Sequence, residues 1–314
     1  MSTNGSIYLL NDGSAESEQG RLNRQHRLFD DIMQNDLLPP HIASSLNASS
    51  TPPKIVEIAT GSAIWLLDIA KTFSPDAELV GIDFDTSKFP SASDLPPNIT
   101  LRQSNMFEPF PNDLVGKFDV VNVRLIVFAL KDGYGIELVR NLMTLLKPGG
   151  YIVWTETGPV ESRENLAHDA HNCQQSGLRW HAYTMQALTS LEPPSQAWFK
   201  YQDVDFRFAK KVGRDTNMQY YLTQAGCVDC DDKAYPSSKQ LFTDKKKDWT
   251  PRMNLQVRTL TAQALTGIVK LGGVEGMATE KEAAELIALC QDEFVDRKVH
   301  MVVTRAWGRK PEVS

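Results

Sequence analysis

Lys54-Ile-Val-Glu-Ile-Ala-Thr-Gly-Ser-Ala-Ile-Trp65 puts a short apolar run, a turn of small residues and a helix start in direct succession. The run is short and largely β-branched, as a strand buried on both faces should be. Gly61 lacks the Cβ that would keep the backbone from a ligand, and the amides at a helix start can meet a polar group. In an open parallel sheet, ligands bind outside the carboxyl ends of the strands. Gly81-Ile-Asp83 then ends a second strand with a carboxylate, 22 residues beyond Gly61. An acid placed there commonly takes the two hydroxyls of a ribose. Both features also fit a dinucleotide enzyme, but a pyrophosphate lies against bare backbone and calls for Gly-x-Gly-x-x-Gly. Here Ala63 and Leu66 stand at the second and third glycine positions, with Trp65 beside them. That pattern disfavours a nicotinamide oxidoreductase.

Working outward, strands and helices alternate. Ile55–Ala59, Leu79–Asp83, Thr100–Gln103, Phe118–Val123 and Tyr151–Glu156 read as strands, and Ile64–Phe73 and Ile136–Leu146 as helices. Such alternation implies a parallel sheet covered on both faces. Leu145-Leu-Lys-Pro-Gly-Gly-Tyr-Ile-Val-Trp-Thr-Glu156 reads as a helix end, a Pro-Gly-Gly turn and a buried strand finishing in an acid. Ahead of the sheet, Leu22, His26, Phe29 and Met33 recur at helical spacing between Glu16 and Met33, an amphipathic helix. Leu38 to Lys54 carries four prolines among serines and asparagines and reads as a linker or loop. Beyond Gly158, residues 160–200 look helical and hold His168, His171, Trp180, His181, Tyr183 and Trp198. Thr216–Gln224 predicts a helix ending at Gly226, Val228–Tyr235 a strand, Asn254–Leu271 a helix and Val299–Trp307 a closing strand. Thr279 and Glu282 form a capping-box pattern that opens another helix. Segments 160–200 and 237–297 are expected to pack together as a cap over the sheet's C-terminal edge.

Composition narrows the classes. Hydrophobic residues make up 41% of the 314, enough for a sizeable core, and no run approaches the ~20 apolar residues of a membrane helix. The N-terminus, Met1-Ser-Thr-Asn-Gly-Ser6, lacks a basic region and an apolar run, so no secretory signal is expected, and Ser2 argues against myristoylation. Four cysteines are too sparse for a disulfide framework and suit a cytoplasmic protein. The net charge is −6, and the Lys245-Lys246-Lys247 run is flanked by Asp244 and Asp248, so neither a nucleic-acid nor a membrane partner is expected.

With these pieces in place, the chain resembles class I S-adenosylmethionine (SAM) dependent methyltransferases. It is most similar to the fungal methyltransferases of secondary metabolism, the group with the gliotoxin-pathway N-methyltransferase and, more distantly, the LaeA-type regulators. The residues that carry the resemblance are Arg21-Leu-Asn-Arg-Gln-His26, Glu57-Ile-Ala-Thr-Gly-Ser-Ala-Ile-Trp65, Val80-Gly-Ile-Asp83, Phe89-Pro90 with Pro96-Pro-Asn-Ile-Thr100, Phe118-Asp-Val-Val-Asn-Val-Arg124 and Leu146-Lys-Pro-Gly-Gly150. They span roughly residues 8–160, about half of the chain. The resemblance implies an α/β, Rossmann-like fold: a seven-stranded, mostly parallel sheet with an antiparallel last strand, helical cap insertions and an N-terminal helical lid. It divides the chain into a lid and linker (1–53), a SAM-binding core (54–159) and a remainder (160–314) of cap insertions and the rest of the sheet. It further implies that Glu57, Ala59, Thr60 and Gly61 meet the methionine part, Asp83 the ribose and Phe84 the adenine. Asn105 and Met106 then border the adenine edge, and Gln25 and Arg124 close the site. Two positions depart from the family pattern: Ala63 stands where many relatives have glycine, and Asn105 where most have aspartate. The asparagine loses charge assistance toward the adenine amino group.

The expected activity is methyl transfer from SAM to N, O or S of a small molecule, with no metal. Rivals are a SAM-binding cyclase or pericyclase that leaves the methyl idle, and a LaeA-like regulator. His168 and His171 are candidate general bases, or else members of a solvated helix face. Glu156 is expected to face the substrate. His26 reads either as a hydrogen-bonded core histidine or as a ligand contact. Cys227-x-x-Cys230 sits at a helix-to-strand turn and has no partner pair, so neither zinc nor redox use is expected of it. Trp180, Tyr183, Trp198 and Phe199 are core or pocket lining.

Overall fold

The computed structural model describes residues 15–126, 129–130, 134–157, 200, 203–204, 207–208, 218–236, 250–293 and 302–312. Segment 160–199, with His168, His171 and the cap aromatics, lies outside the described residues.

Seven strands form one sheet: β1 (Lys54–Ile58), β2 (Glu78–Asp83), β3 (Ile99–Gln103), β4 (Phe118–Arg124), β5 (Leu146–Thr157), β6 (Val228–Pro236) and β7 (Val302–Arg309). Their order is β3-β2-β1-β4-β5-β7-β6. β1 pairs in parallel with β2 and β4, β2 with β3 and β4 with β5, while β7 runs antiparallel between β5 and β6. The chain leaves β1 toward β2 on one side and returns to β4 on the other. The crevice of this open sheet therefore lies at the carboxyl ends of β1 and β4.

The described helices are α1 (Ala15–Ile32), α2 (Pro40–Ala48), α3 (Ile64–Ile69), α4 (Tyr134–Leu145), α5 (Met218–Ala225), α6 (Thr250–Lys270) and α7 (Glu280–Glu293). Apolar residues on both faces of the central strands explain why helices cover both sides. Ile55, Leu79, Val120 and Val153 pack on Ile42 of α2 and on Trp65, Leu66 and Ile69 of α3. Val56, Val80, Val121 and Ile152 face Leu138, Val139 and Leu142 of α4 and Leu222 of α5. A third cluster joins Leu28, Phe29 and Ile32 of α1 to Ala264, Leu265 and Ile268 of α6 and Leu286 and Cys290 of α7. It also includes Tyr235 near the end of β6 and Val303 near the start of β7. Antiparallel pairing sets that part of β7 beside Glu156 and Thr157, so α6 and α7 sit toward the sheet's C-terminal edge. Among the described residues no helix is long and apolar enough to cross a membrane.

Two local expectations change. The stretch from Leu38 to Lys54 is no mere linker, because α2 lies inside it. Pro40 occupies the helix's first turn, where a missing N–H costs nothing, and Ile42 is buried against the sheet. The Pro-Gly-Gly turn is a bulge within β5. Leu146 pairs with Phe118, then Tyr151 with Val120, so the extra residues loop out between. Gly149 takes a φ of 78° there, and a Cβ on Gly150 would lie 3.0 Å from the Asp119 carbonyl oxygen.

Candidate cofactor and active site

The loop from β1 to α3 carries the site's backbone. Ala59, Gly61 and Ala63 have φ of 55°, 54° and 56°. Left-handed alanines are uncommon and store strain, of a kind that clusters at functional sites. Tertiary bonds hold the loop: the Thr60 amide donates to the Ile82 carbonyl at 3.0 Å, and the Gly61 amide to Asp83 Oδ2 at 2.8 Å. The Asp85 amide donates to the other Asp83 oxygen at 2.9 Å. Burial pushes the Asp83 carboxyl up from its ordinary value, against these two backbone bonds. Next to it Phe84 is 56% exposed, a large apolar ring held open at the strand end. The β1 loop and the β2 acid thus meet directly, and each Asp83 oxygen keeps acceptor capacity.

Beneath this loop runs a chain of buried polar groups. Glu57 on β1 and Arg124 on β4 form an ion pair, with Arg124 Nε at 3.1 Å and Nη2 at 2.8 Å from Glu57 Oε1. Thr60 Oγ1 donates to the other Glu57 oxygen at 2.7 Å. Burial raises the Glu57 carboxyl while Arg124 and Thr60 oppose that shift. Arg124 also donates to His26 Nδ1 at 3.0 Å. A guanidinium has no acceptor, so the His26 proton must sit on Nε2, from which it is donated to Asp68 Oδ2 at 2.9 Å. Burial, and next the Arg124 charge, lower His26 to about 3, so the ring is neutral. Burial would raise Asp68, but hydrogen bonds from Arg27, Lys71 and His26 hold it well below the carboxylate range. α1 is thereby tied to α3 and to the site floor.

Gln25 is buried and accepts from Arg21 Nη1 at 3.1 Å, while Arg21 in turn grips Glu18. Leu22, one turn earlier on α1, covers Gly61: a Cβ on that glycine would lie 2.9 Å from Leu22 Cδ1. The obstacle to a side chain at Gly61 is therefore its positive φ and α1, not only a ligand. Asn105 bonds within its own loop, accepting from the Phe107 amide at 3.1 Å and donating to Glu108 at 3.1 Å. Met106 packs against the α4-side cluster. Glu156 is 2% exposed and accepts from the Ile126 amide at 2.7 Å and from Trp154 Nε1 at 3.0 Å, an inward clamp at the end of β5. Residues unmarked in the sequence also join the site. Ser62 donates to Asn23 Oδ1 of α1 at 2.7 Å, and Leu125 after β4 has a φ of 58°. Asp68 carried no signal, because its partner His26 is 42 positions away. Ligand atoms of His26, Asp30 and Asp68 lie within 4.8 Å of one another. Asp68 of that trio is also bonded to Arg27 and Lys71.

A sheet in this order, with a reversed β7 and a glycine loop at the switch point facing an acid, is the class I methyltransferase fold. No family model matches the chain. It is 37% identical over 164 residues to the N-methyltransferase tcpN of Claviceps purpurea, an alignment covering 51% of this chain and 57% of that protein. It is also 37% identical over 158 residues to the methyltransferase grgD of a Penicillium species, covering 48% and 52%. The secondary metabolism regulator LAE1 of Hypocrea atroviridis matches at 25% over 182 residues, covering 56% and 50%. The chain thus spans about half the length of the curated relatives it matches. Across that half it is similar to these fungal methyltransferases.

Proposed function

We propose that this protein binds SAM in the crevice outside β1, β2 and β4 and transfers its methyl group to a nitrogen, oxygen or sulfur of a small organic molecule. The observation that carries this reading is the contact of the Gly61 amide with Asp83, made by a loop with three left-handed residues at the switch point of the sheet. The chemistry the cofactor supplies is an electrophilic methyl on a positively charged sulfur.

In this reading Ala59, Thr60 and Gly61 hold the methionine part, Asp83 takes the ribose hydroxyls and Phe84 covers the adenine. Asn105 and Met106 border the adenine. Glu57 acts at one remove, fixing Arg124 and Thr60, while Gln25 and Leu22 of α1 close the site. Displacement at a methyl needs alignment and water exclusion more than acid–base work, which suits a site floored by a neutral imidazole and closed ion pairs. Where the acceptor is a hydroxyl, His168 or His171 is the assigned base. Glu156, held by Trp154 and Ile126, positions the end of β5 toward the acceptor. The scarcity of cysteine supports a cytoplasmic setting.

Calorimetry with SAM and S-adenosylhomocysteine tests the site, with binding expected in the micromolar range. Asp83→Ala should weaken that binding by on the order of 1.5–3 kcal/mol, the worth of hydrogen bonds to a charged group. Absence of heat at millimolar ligand removes the reading. Labelled methyl incorporation into an extract of the source's metabolites tests transfer. Binding without incorporation favours instead a regulator, the name borne by the 25%-identical relative, or a cyclase.

A further inference from the structure

Cys227-Val-Asp-Cys230 takes no part in the site above. It joins α5 to β6, the edge strand of the sheet. Between these cysteines the pairing of β6 with β7 slips from Val228–Arg309 to Asp231–Trp307, one extra residue on β6, and Asp229 takes a φ of 52°. Such a bulge re-aims side chains. Here it turns both cysteines onto Gly308. A Cβ on Gly308 would lie 2.9 Å from Cys227 Cβ, 3.0 Å from Cys230 Sγ and 3.5 Å from Cys227 Sγ. The two sulfurs therefore line the space a side chain would need, with Cys230 Sγ 3.5 Å from the Cys227 carbonyl oxygen and Cys227 Sγ 3.5 Å from Met143 Sδ.

We propose that Cys227 and Cys230 form a reversible dithiol–disulfide modification site that reacts with low-molecular-weight disulfides. The two thiols are not equivalent. The Cys227 hydrogen bond lowers Cys230 to about 7, and Cys230 is half-buried at the edge. Cys227 is buried and pushed up, first by its hydrogen bond to Cys230 and then by burial. The thiolate of Cys230 attacks one sulfur of the small disulfide, a mixed disulfide forms, and one small thiolate leaves. Capping removes the Cys230 charge that held the Cys227 proton. Cys227 then loses its proton to solvent and attacks Cys230 Sγ, expelling the second small thiolate. Two protein thiols and one small disulfide thereby become one protein disulfide and two small thiols. Bonding needs a sulfur–sulfur distance of about 2.05 Å, which side-chain rotation of two cysteines lining the same space at Gly308 can supply. Among the described residues no third thiol joins the pair, since Cys290 lies apart in the α1–α6–α7 cluster.

The test holds the full chain in mixtures of oxidised and reduced glutathione, alkylates it and maps the peptide with residues 227–230. The proposal expects that peptide to escape alkylation and weigh two hydrogens less under oxidising mixtures, and to regain both thiols when reduced. Gly308→Ala puts a methyl between the sulfurs and should block closure, leaving glutathione on Cys230. Should that variant fail to fold, Cys227→Ser must trap the same adduct at Cys230. Full alkylation of both cysteines at every ratio, a lasting glutathione adduct in the parent, or a bridge to Cys173 instead would overturn the assignment.

Discussion

At the scale of single residues, His26 links the site floor to the outer helix through one fixed tautomer. Its folded pKa of about 3 lies below the unfolded value of 6.5. Between those values the unfolded chain binds the proton and the folded chain does not, so His26 stability is complete above pH 6.5 and falls as pH drops toward 3. The loss approaches about 1.4 kcal/mol per pH unit. Asp30, Glu57 and Asp83 have raised values and titrate with the opposite sign, so the parent curve alone does not isolate the histidine. His26→Gln offers a donor and an acceptor without a proton to gain. Denaturant midpoints from about pH 7 to 5 should show the parent losing stability relative to this variant, and parallel curves would show that His26 is not held neutral. Gly61→Val is the second residue test. A β-branched side chain at φ of 54° beside Leu22 should cost on the order of 1–3 kcal/mol in backbone strain alone. It should also abolish measurable SAM binding by calorimetry, and a Gly61→Val protein that bound normally would displace the cofactor from this loop.

Among the elements, α1 has two jobs. Its Leu22 side covers the Gly61 loop, while Leu28, Phe29 and Ile32 are core shared with α6 and α7. A helix rooted this way is not a detachable flap. Trimming residues 1–35 should therefore do more than cripple turnover: it strips the partner surface from α6 and α7, whose backbone amides should exchange with solvent near the unprotected rate. If 250–293 stayed protected in the trimmed protein, α1 would be a lid alone. The same helix shows what the sequence discloses. Its apolar spacing was legible because Leu22, His26, Phe29 and Met33 repeat with the helical period, and the central strands because both their faces are apolar. Thr279 and Glu282 were legible as a local pair, and Glu282 does accept from the Thr279 amide and hydroxyl. α2 was hidden because its prolines read as breakers, although one of them starts the helix. The left-handed Ala59, Ala63 and Leu125 were hidden too, since nothing in an alanine or a leucine announces a positive φ that the surrounding fold imposes.

For the whole molecule, the sheet separates two regions with different expected responses to a ligand. The β1 loop, the end of β2 and α1 are connected by Gly61–Asp83, Ser62–Asn23 and Arg124–His26. β6 lies at the far edge of the sheet, beyond β5 and β7. Binding at the switch point should stabilise the fold by RT ln(1 + [L]/Kd), about 2.7 kcal/mol at a hundredfold excess over Kd. S-adenosylhomocysteine should raise the melting temperature accordingly, in proportion to the logarithm of its concentration. The protection should also be local. Hydrogen exchange should slow over residues 57–63 and 83–85 and along α1, because closing the site orders the loop together with the helix that covers it. Exchange over 228–232 should stay as it was, since β6 meets the α1 region through Lys233 and Tyr235, further along the strand. Protection confined to 228–232 would put the ligand at the wrong end of the sheet. Protection of the loop without α1 would keep the cofactor site but detach the helix from it, leaving His26 and Arg124 as a purely structural tie.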